Sequence, residues 1–499
     1  MTRRLKQLIY SAVAACALAS GSARASDPPQ PGPADSVPPA STIVAAGPPQ
    51  ALPGAAPAAQ PITQRLPAVD AVQPAAHMQA APAGGAGMDS LDERFNVLEK
   101  EWHEFQERQK PVGYLPPGKP TLQFGGQVQV DSVWFGQDPV GIASVGDLQD
   151  SSDFRRTRLV MQGKSFEVFY YAFGVDFSLA PQPSLLDCFL EQREVPIFQR
   201  MRAGHYFEPF SLERVTQNRA NTFMERSLVD TFAPARNLGV MSYGTNEEET
   251  TCYQIGTFRT NSDNAGNDSF DSGQALTMRG THLVYWDEPS DGRYYMHVGA
   301  CYSYRDAYRD QVRFRNSPEI RIQQPQGTSN FSPIFVDTGN IPAHSFQLFD
   351  AEFAWINGPF SVQSEYACST VDQITGENLF FDAFMVQLSY ILTGESRPYD
   401  RTMGIHRTVV PYSPFFLVRS PGGPIMGKGA WELATRFSRI KLNDKNILGN
   451  NLYDFTFGVN WYLSAYARVK FNYIRAFLDD ATVGRSATNI YGLRLDFEF

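Results

Sequence analysis

The residues of this sequence best placed to do chemistry are arginines. They recur in phase with polar neighbours and out of phase with apolar ones. Arg200 and Arg202 alternate with Met201 and Ala203. Arg156 and Arg158 share a phase with Gln162, opposite Leu159 and Met161. Arg279 keeps step with Thr277 and Thr281, and Arg436 with Glu432. Arg468 and Lys470 keep step with Asn472, opposite Val469, Phe471 and Tyr473, and Arg494 faces away from the aromatic row of the last strand. A guanidinium offers a fork of donors that can replace the hydration shell of an anion, and a ladder of them rejects cations. Each arginine has a blander use: pairing with a carboxylate of the same wall. Asp176, Glu352, Glu432, Asp454, Asp496 and Glu498 are available, and Glu191 stands before Arg200 and Arg202.

Catalytic patterns are missing. The chain has no Gly-x-Ser-x-Gly, Walker loop, His-Glu-x-x-His or dinucleotide glycine pattern. His205, His282, His297 and His344 are isolated and read as structural. Cys188, Cys252, Cys301 and Cys368 show no C-x-x-C spacing, so neither a metal nor a cofactor is expected, and any disulfide pairing stays open. A net charge of −9 does not favour nucleic acid as a partner.

The elements that must position these arginines are strands. Residues 490–499 read Ile-Tyr-Gly-Leu-Arg-Leu-Asp-Phe-Glu-Phe, with Tyr491, Leu493, Leu495, Phe497 and Phe499 on one face and Gly492, Arg494, Asp496 and Glu498 on the other. Such alternation suits a strand between two solvents, lipid and water. The same period runs from Leu122 onward, through Phe169–Phe177, Phe384–Leu392 and Tyr453–Leu463. No second apolar run reaches membrane-helix length, and only alternate residues of a barrel strand need be apolar. Residues 121–499 therefore predict an all-β, antiparallel transmembrane β-barrel. At roughly 20–25 residues per strand plus connection, the count is about 16, alternatively 18, around a water-filled lumen.

The chain before the barrel falls into three parts. Residues 1–25 read as a signal peptide, with Arg3, Arg4 and Lys6 before an apolar run and Ala23-Arg24-Ala25 as cleavage site. Val13-Ala14-Ala15-Cys16 is a rival lipoprotein box. Residues 26–87, rich in Pro and Ala, predict a disordered periplasmic linker. Residues 88–110 predict a short helix whose Met88, Leu91, Phe95, Leu98, Trp102 and Phe105 form a heptad seam. It serves either a three-chain coiled coil or docking on the barrel.

One stretch resembles a known family. Gly204–Glu213, followed by Asn221–Leu228 and Phe232–Gly239, is similar to the phosphate-selective porins of O and P type. Phe154–Leu159, Asn357–Tyr366, Leu392–Asp400, Gly429–Leu433 and Gly458–Leu463 match in order. The resemblance implies a homotrimer of 16-stranded barrels in outer-membrane lipid, with an anion-preferring pore for passive uptake of phosphate or similar small anions. It folds the long connection Glu208–Arg236 into the lumen as a constriction loop, whose bases are Arg214, Arg219, Arg226 and Arg236; the alternative is a loop packed on the rim or at the trimer contact. It also gives the terminal Phe499 to the barrel-assembly machinery. One departure stands out: Phe207 occupies a position where family members often carry lysine. A general porin, or a barrel that anchors the envelope through its tail and coil, remains the alternative.

Overall fold

The computed structural model describes residues 119–178, 183–260, 273–322, 334–420 and 422–499. The expected signal peptide, linker and heptad helix lie outside the described residues. Sixteen strands form one closed antiparallel barrel. They are β1 (Gln123–Gln137), β2 (Ser151–Ser165), β3 (Phe169–Asp176), β4 (Ser184–Val195), β5 (Gln199–Phe207), β6 (Arg236–Thr245), β7 (Thr251–Arg259) and β8 (Gln274–Trp286). Then come β9 (Tyr294–Asp306), β10 (Ile341–Asn357), β11 (Phe360–Gln373), β12 (Leu379–Ile391), β13 (Ala430–Asp444), β14 (Ile447–Tyr462), β15 (Ala467–Asp480) and β16 (Gly484–Glu498). Each pairs with its neighbours in sequence, and β16 closes on β1 in the register Gln127↔Glu498 to Gln137↔Thr488. Closure leaves no unpaired edge in lipid.

The last strand shows why the alternation matters. Tyr491, Leu493, Leu495 and Phe497 are exposed, whereas Arg494, Asp496 and Glu498 are buried. The aromatic face therefore meets lipid and the charged face meets the barrel interior. The same division holds on β14, where Phe455 and Phe457 are exposed and Asp454 and Thr456 are buried. Asn357 and Phe360 pair across Gly358, whose φ of 61° fits the tight turn between β10 and β11.

The wall is uneven. Strands β3 to β7 have 8, 12, 9, 10 and 9 residues, while β8 to β16 have 13 to 17. At about 3.3 Å per residue and a tilt of about 40°, eight residues rise only about 20 Å, short of an apolar band about 25 Å tall.

The interior differs from the open lumen that the size of the barrel implies. Three connections turn inward: residues 208–235 and, among the described residues, 307–322 and 334–340 from one end, and 395–409 from the other. Phe210, Met224, Leu228, Val229 and Phe232 of the first pack with Phe314, Ile320 and Val336 of the second. Against them stand inward-facing wall residues including Ile440, Leu452, Ile474 and Ile490. The inward face of β13 to β16 is thus charged toward one end and apolar toward the other, where it receives these segments.

The facing assignment is testable on Phe455, which is exposed near the middle of β14. Phe455→Arg should lower folding stability in lipid vesicles by about 2–4 kcal/mol, and Phe455→Leu by much less. Denaturant titration of barrel tryptophan fluorescence measures both, and equal values would place Phe455 off the lipid.

Candidate functional site

The connection between β5 and β6 organises the interior. It begins with a four-residue helix, α1 (Leu212–Val215), whose N-cap Ser211 accepts from the Arg214 amide at 3.2 Å. Residues 219–225 then have no regular structure, so their carbonyls lack secondary-structure partners. The wall, with Arg397 of the connection between β12 and β13, supplies donors instead. Arg468 donates to the carbonyl of Arg219 at 2.7 Å, Arg397 to Ala220 at 2.9 Å and Lys470 to Asn221 at 2.5 Å. Asn460 donates to Thr222 at 2.8 Å, Arg494 to Met224, and Arg436 to Glu225 at 3.1 Å. Inward-facing glycines make room. A Cβ on Gly458 would sit 3.0 Å from the Phe223 ring, and one on Gly492 would sit 3.0 Å from the Met224 sulfur.

The same cations neutralise carboxylates. Arg494 holds Asp131 at 2.7 and 2.6 Å and Glu225 at 2.6 Å. Arg436 joins Glu213 at 3.0 Å and Glu319 at 2.6 Å. Arg468 reaches Asp496 at 3.2 Å and Glu498 at 2.8 Å. Arg156 bonds Gln129 at 2.6 Å and lies 3.4 Å from Glu225. Arg279 grips Glu352 through two 2.8 Å bonds and donates to the carbonyls of Met403 and Gly404 in the third inward segment. The side chains of Arg279, Arg436, Arg468 and Arg494 are at most 1% exposed. Of the bases on the wall whose phase points inward, these four, with Arg156 and Lys470, fasten inward segments or neighbouring strands.

A second set keeps water. Arg155, Arg158, Arg202, Arg214, Arg226 and Arg236 have side chains 13–18% exposed. They stand on β2, β5, β6 and the free side of the inward connection. Arg158 pairs with Asp176 at 2.7 Å, Arg202 with Glu191 at 2.5 Å and Arg236 with Asp187 at 2.9 Å. Arg214 and Arg226 share Asp230 at 3.0 and 3.8 Å. Arg200 lies 5.6 Å from the Tyr243 ring centroid, and Arg219, 45% exposed, meets Glu498 at 3.1 Å.

Period-2 reasoning missed Arg155 for a definite reason. Gln129 pairs with Arg156 and Val130 with Phe154, so Arg155 is the extra residue of a bulge. Both it and Arg156 reach Glu225. Arg193 and Arg305, on strands, pair with Glu191 and Glu208 and share the inward phase, a signal already present in the sequence. Arg321 and Arg397 lie in connections, where no periodicity marks them.

The histidines and cysteines show structural contacts. His297 lies 3.1 Å from Glu352 and 2.6 Å from the Tyr399 hydroxyl, and His205 lies 2.7 Å from the Leu186 carbonyl. All four barrel cysteines are free thiols. Cys301, Asp350 and Glu352 bring potential ligand atoms within 4.8 Å of one another, but the Arg279 guanidinium already supplies the positive charge beside Glu352.

Comparison with known proteins decides the family. The family model "Phosphate-selective porin O and P" matches residues 123–499. The chain belongs to the phosphate-selective porin O and P family. It is an outer-membrane porin channel rather than an enzyme. Porin O of Pseudomonas aeruginosa is 23% identical over 392 residues, covering 72% of this chain and 84% of that protein. An uncharacterized protein of Caulobacter vibrioides is 25% identical over 401 residues, covering 77% and 75%. Among solved structures, the outer membrane channel DcaP of Acinetobacter baumannii aligns with a TM-score of 0.47 at 11% identity, over 77% of this chain and all of that one. An anion-selective porin from Comamonas acidovorans aligns with a TM-score of 0.45 at 10% identity, over 76% and 100%.

Glu225 gives the porin a titratable clasp. Burial alone would raise its carboxyl, but Arg155, Arg156 and Arg494 outweigh that and hold it well below the usual carboxylate range. A depressed folded value means the clasp contributes fully above the unfolded pKa of about 4.3 and is lost only as pH falls through the folded one. Single-channel current should stay quiet down to about pH 4. Glu225→Gln, which leaves Arg155 and Arg156 without their charge partner and Arg494 with Asp131 alone, should cost about 3–5 kcal/mol of local stability and make the current noisy at pH 7. A wild-type channel that turns noisy between pH 6 and pH 5 contradicts this role.

Proposed function

We propose that this porin is an anion-preferring channel for the passive uptake of phosphate and similar small oxyanions. The observation that carries the reading is the charge balance on the watered side of the interior. Nine guanidiniums gather there, from Arg155, Arg158, Arg193, Arg200, Arg202, Arg214, Arg226, Arg236 and Arg321. Six carboxylates offset them: Asp176, Asp187, Glu191, Glu194, Glu225 and Asp230, while Glu167 beside them pairs with Lys164. Nine against six leaves a formal surplus of three positive charges. A low-dielectric wall concentrates such a field, so anions enter and cations are repelled. The partnered arginines keep binding weak and shared among sites, which lets the ion leave. Net charge elsewhere on the chain is screened over about 8–10 Å and does not cancel it.

The short strands support a homotrimer. Where β3, β5 and β7, of eight or nine residues, rise only about 20–23 Å, a neighbouring barrel can cover the wall that lipid would otherwise meet. The linker and heptad helix expected from the sequence would lie in the periplasm.

Arg200 and Arg202 test the reading. Replacing both with Gln leaves Glu191 with Arg193 alone and subtracts two charges from the surplus. A change of ~1 kcal/mol in local ion free energy alters relative permeability roughly fivefold. The reversal potential under a salt gradient should move toward cation preference by about that factor, with the trimer intact on a native gel. Unchanged selectivity would make these arginines wall structure.

A further inference from the structure

The guanidiniums of the watered wall are clad in aromatic rings. Arg193 lies 3.4 Å from the Tyr170 ring centroid and Arg202 lies 4.0 Å from that of Phe189. Arg202 also stands 5.4 Å from Tyr206 and 5.3 Å from Tyr243. Phe207 gathers three: Arg236 at 3.8 Å, with Arg214 and Arg226 both at 5.5 Å. The Phe207 ring is half-buried, so part of it stays open to a solute. A lysine here would be a fourth positive charge in a space of three. The ring instead turns its negative face to the cations already present.

The donors of these guanidiniums are also largely committed. Arg236 spends two bonds on Asp187, at 2.9 and 3.1 Å, and Arg202 two on Glu191, at 2.9 and 2.5 Å. Arg226 donates to the carbonyls of Glu213 and Arg214 at 3.0 and 3.1 Å. Apart from Arg200, each rung sets a carboxylate or carbonyls against its guanidinium, so the surplus is spread along the wall rather than gathered at one site. A multiply charged, strongly hydrated anion therefore recovers little of the hydration it gives up. A singly charged anion with a flat apolar body gives up less, and it gains contact with ring and guanidinium faces. At the turn end of β3 to β5, a recess of about 520 Å³ is lined by Tyr170, Arg193, Gln199 and Arg200 together with Glu167, which pairs with Lys164, and Glu194, and it has room for such a molecule on its arginine side.

Resting on the anion-channel reading, we propose that the β3–β6 wall is a binding track for aromatic carboxylates, which it takes in preference to phosphate. Phe207 is the residue that sets this preference.

The test uses the full-length protein in planar bilayers carrying a chloride current. Benzoate, acetate and phosphate are added in turn at pH 7, and the half-blocking concentration of each is read. Benzoate should block at about tenfold lower concentration than either of the others, the factor a single favourable ring contact supplies. Phe207→Leu keeps the apolar bulk but removes the ring's charge distribution, and should cut the advantage of benzoate over acetate roughly fivefold. Phe207→Lys should remove that advantage and strengthen block by phosphate. Equal block by benzoate and acetate in the wild type overturns the proposal, whatever the variants do. So does a benzoate advantage left undiminished in Phe207→Leu. The reversal potential in the same membranes separates the two claims. Anion preference with no benzoate advantage sinks the aromatic track alone, whereas cation preference sinks the anion-channel reading beneath it.

Discussion

The arrangement of this porin depends on cations of the wall capping carbonyls of an irregular segment. An unpaired backbone carbonyl inside a barrel costs free energy comparable to a lost hydrogen bond. Residues 219–225 have no helix or strand to absorb that cost. Arg468, Arg397, Lys470, Asn460, Arg494 and Arg436 absorb it one carbonyl at a time. Bonds from charged donors contribute about 1.5–3 kcal/mol each, against about 1 for neutral ones. The segment is thereby held against β13 to β16, and arginines on β2, β5 and β6 keep side chains 13–18% exposed.

That division assigns two jobs to one residue type. A buried arginine is costly unless its charge and its donors are all met. Arg436 and Arg494 meet this demand with two carboxylates and a carbonyl each. Nothing of their fields is left unshared. Arginines on β2, β5 and β6 are met by fewer carboxylates and are less deeply buried, which is why the proposed anion path is assigned to them. Phe207 belongs to this second group, stacking three of its guanidiniums without adding charge.

Much of this was legible in the sequence. Alternation alone separates lipid-facing Leu493 from inward-facing Arg494, and it does so on strand after strand, because one residue of slip would exchange the two solvents. Asp176 for Arg158, Glu352 for Arg279 and Glu191 for Arg202 were available as partners by phase. Alternation has no access to what fills the interior, however. It cannot rank Arg494 against Arg158, since both point inward and only the fold of residues 208–235 decides which is covered. Nor can it register the bulge at Arg155, or Glu319, carried to Arg436 by a connection of no period.

The central claim is that the inward segment lies fastened to the far wall and leaves the path open. A pair of cysteines at Met224 and Gly492, where the sulfur stands 3.0 Å from the glycine's missing Cβ, tests it most directly. With the native cysteines replaced by serine, single-channel conductance of Met224→Cys/Gly492→Cys is recorded before and after oxidation, and the bond is confirmed by mass. The account predicts that the disulfide forms and that conductance stays as it was. Failure of the bond to form in the assembled porin, or a channel that closes when it does, would contradict it.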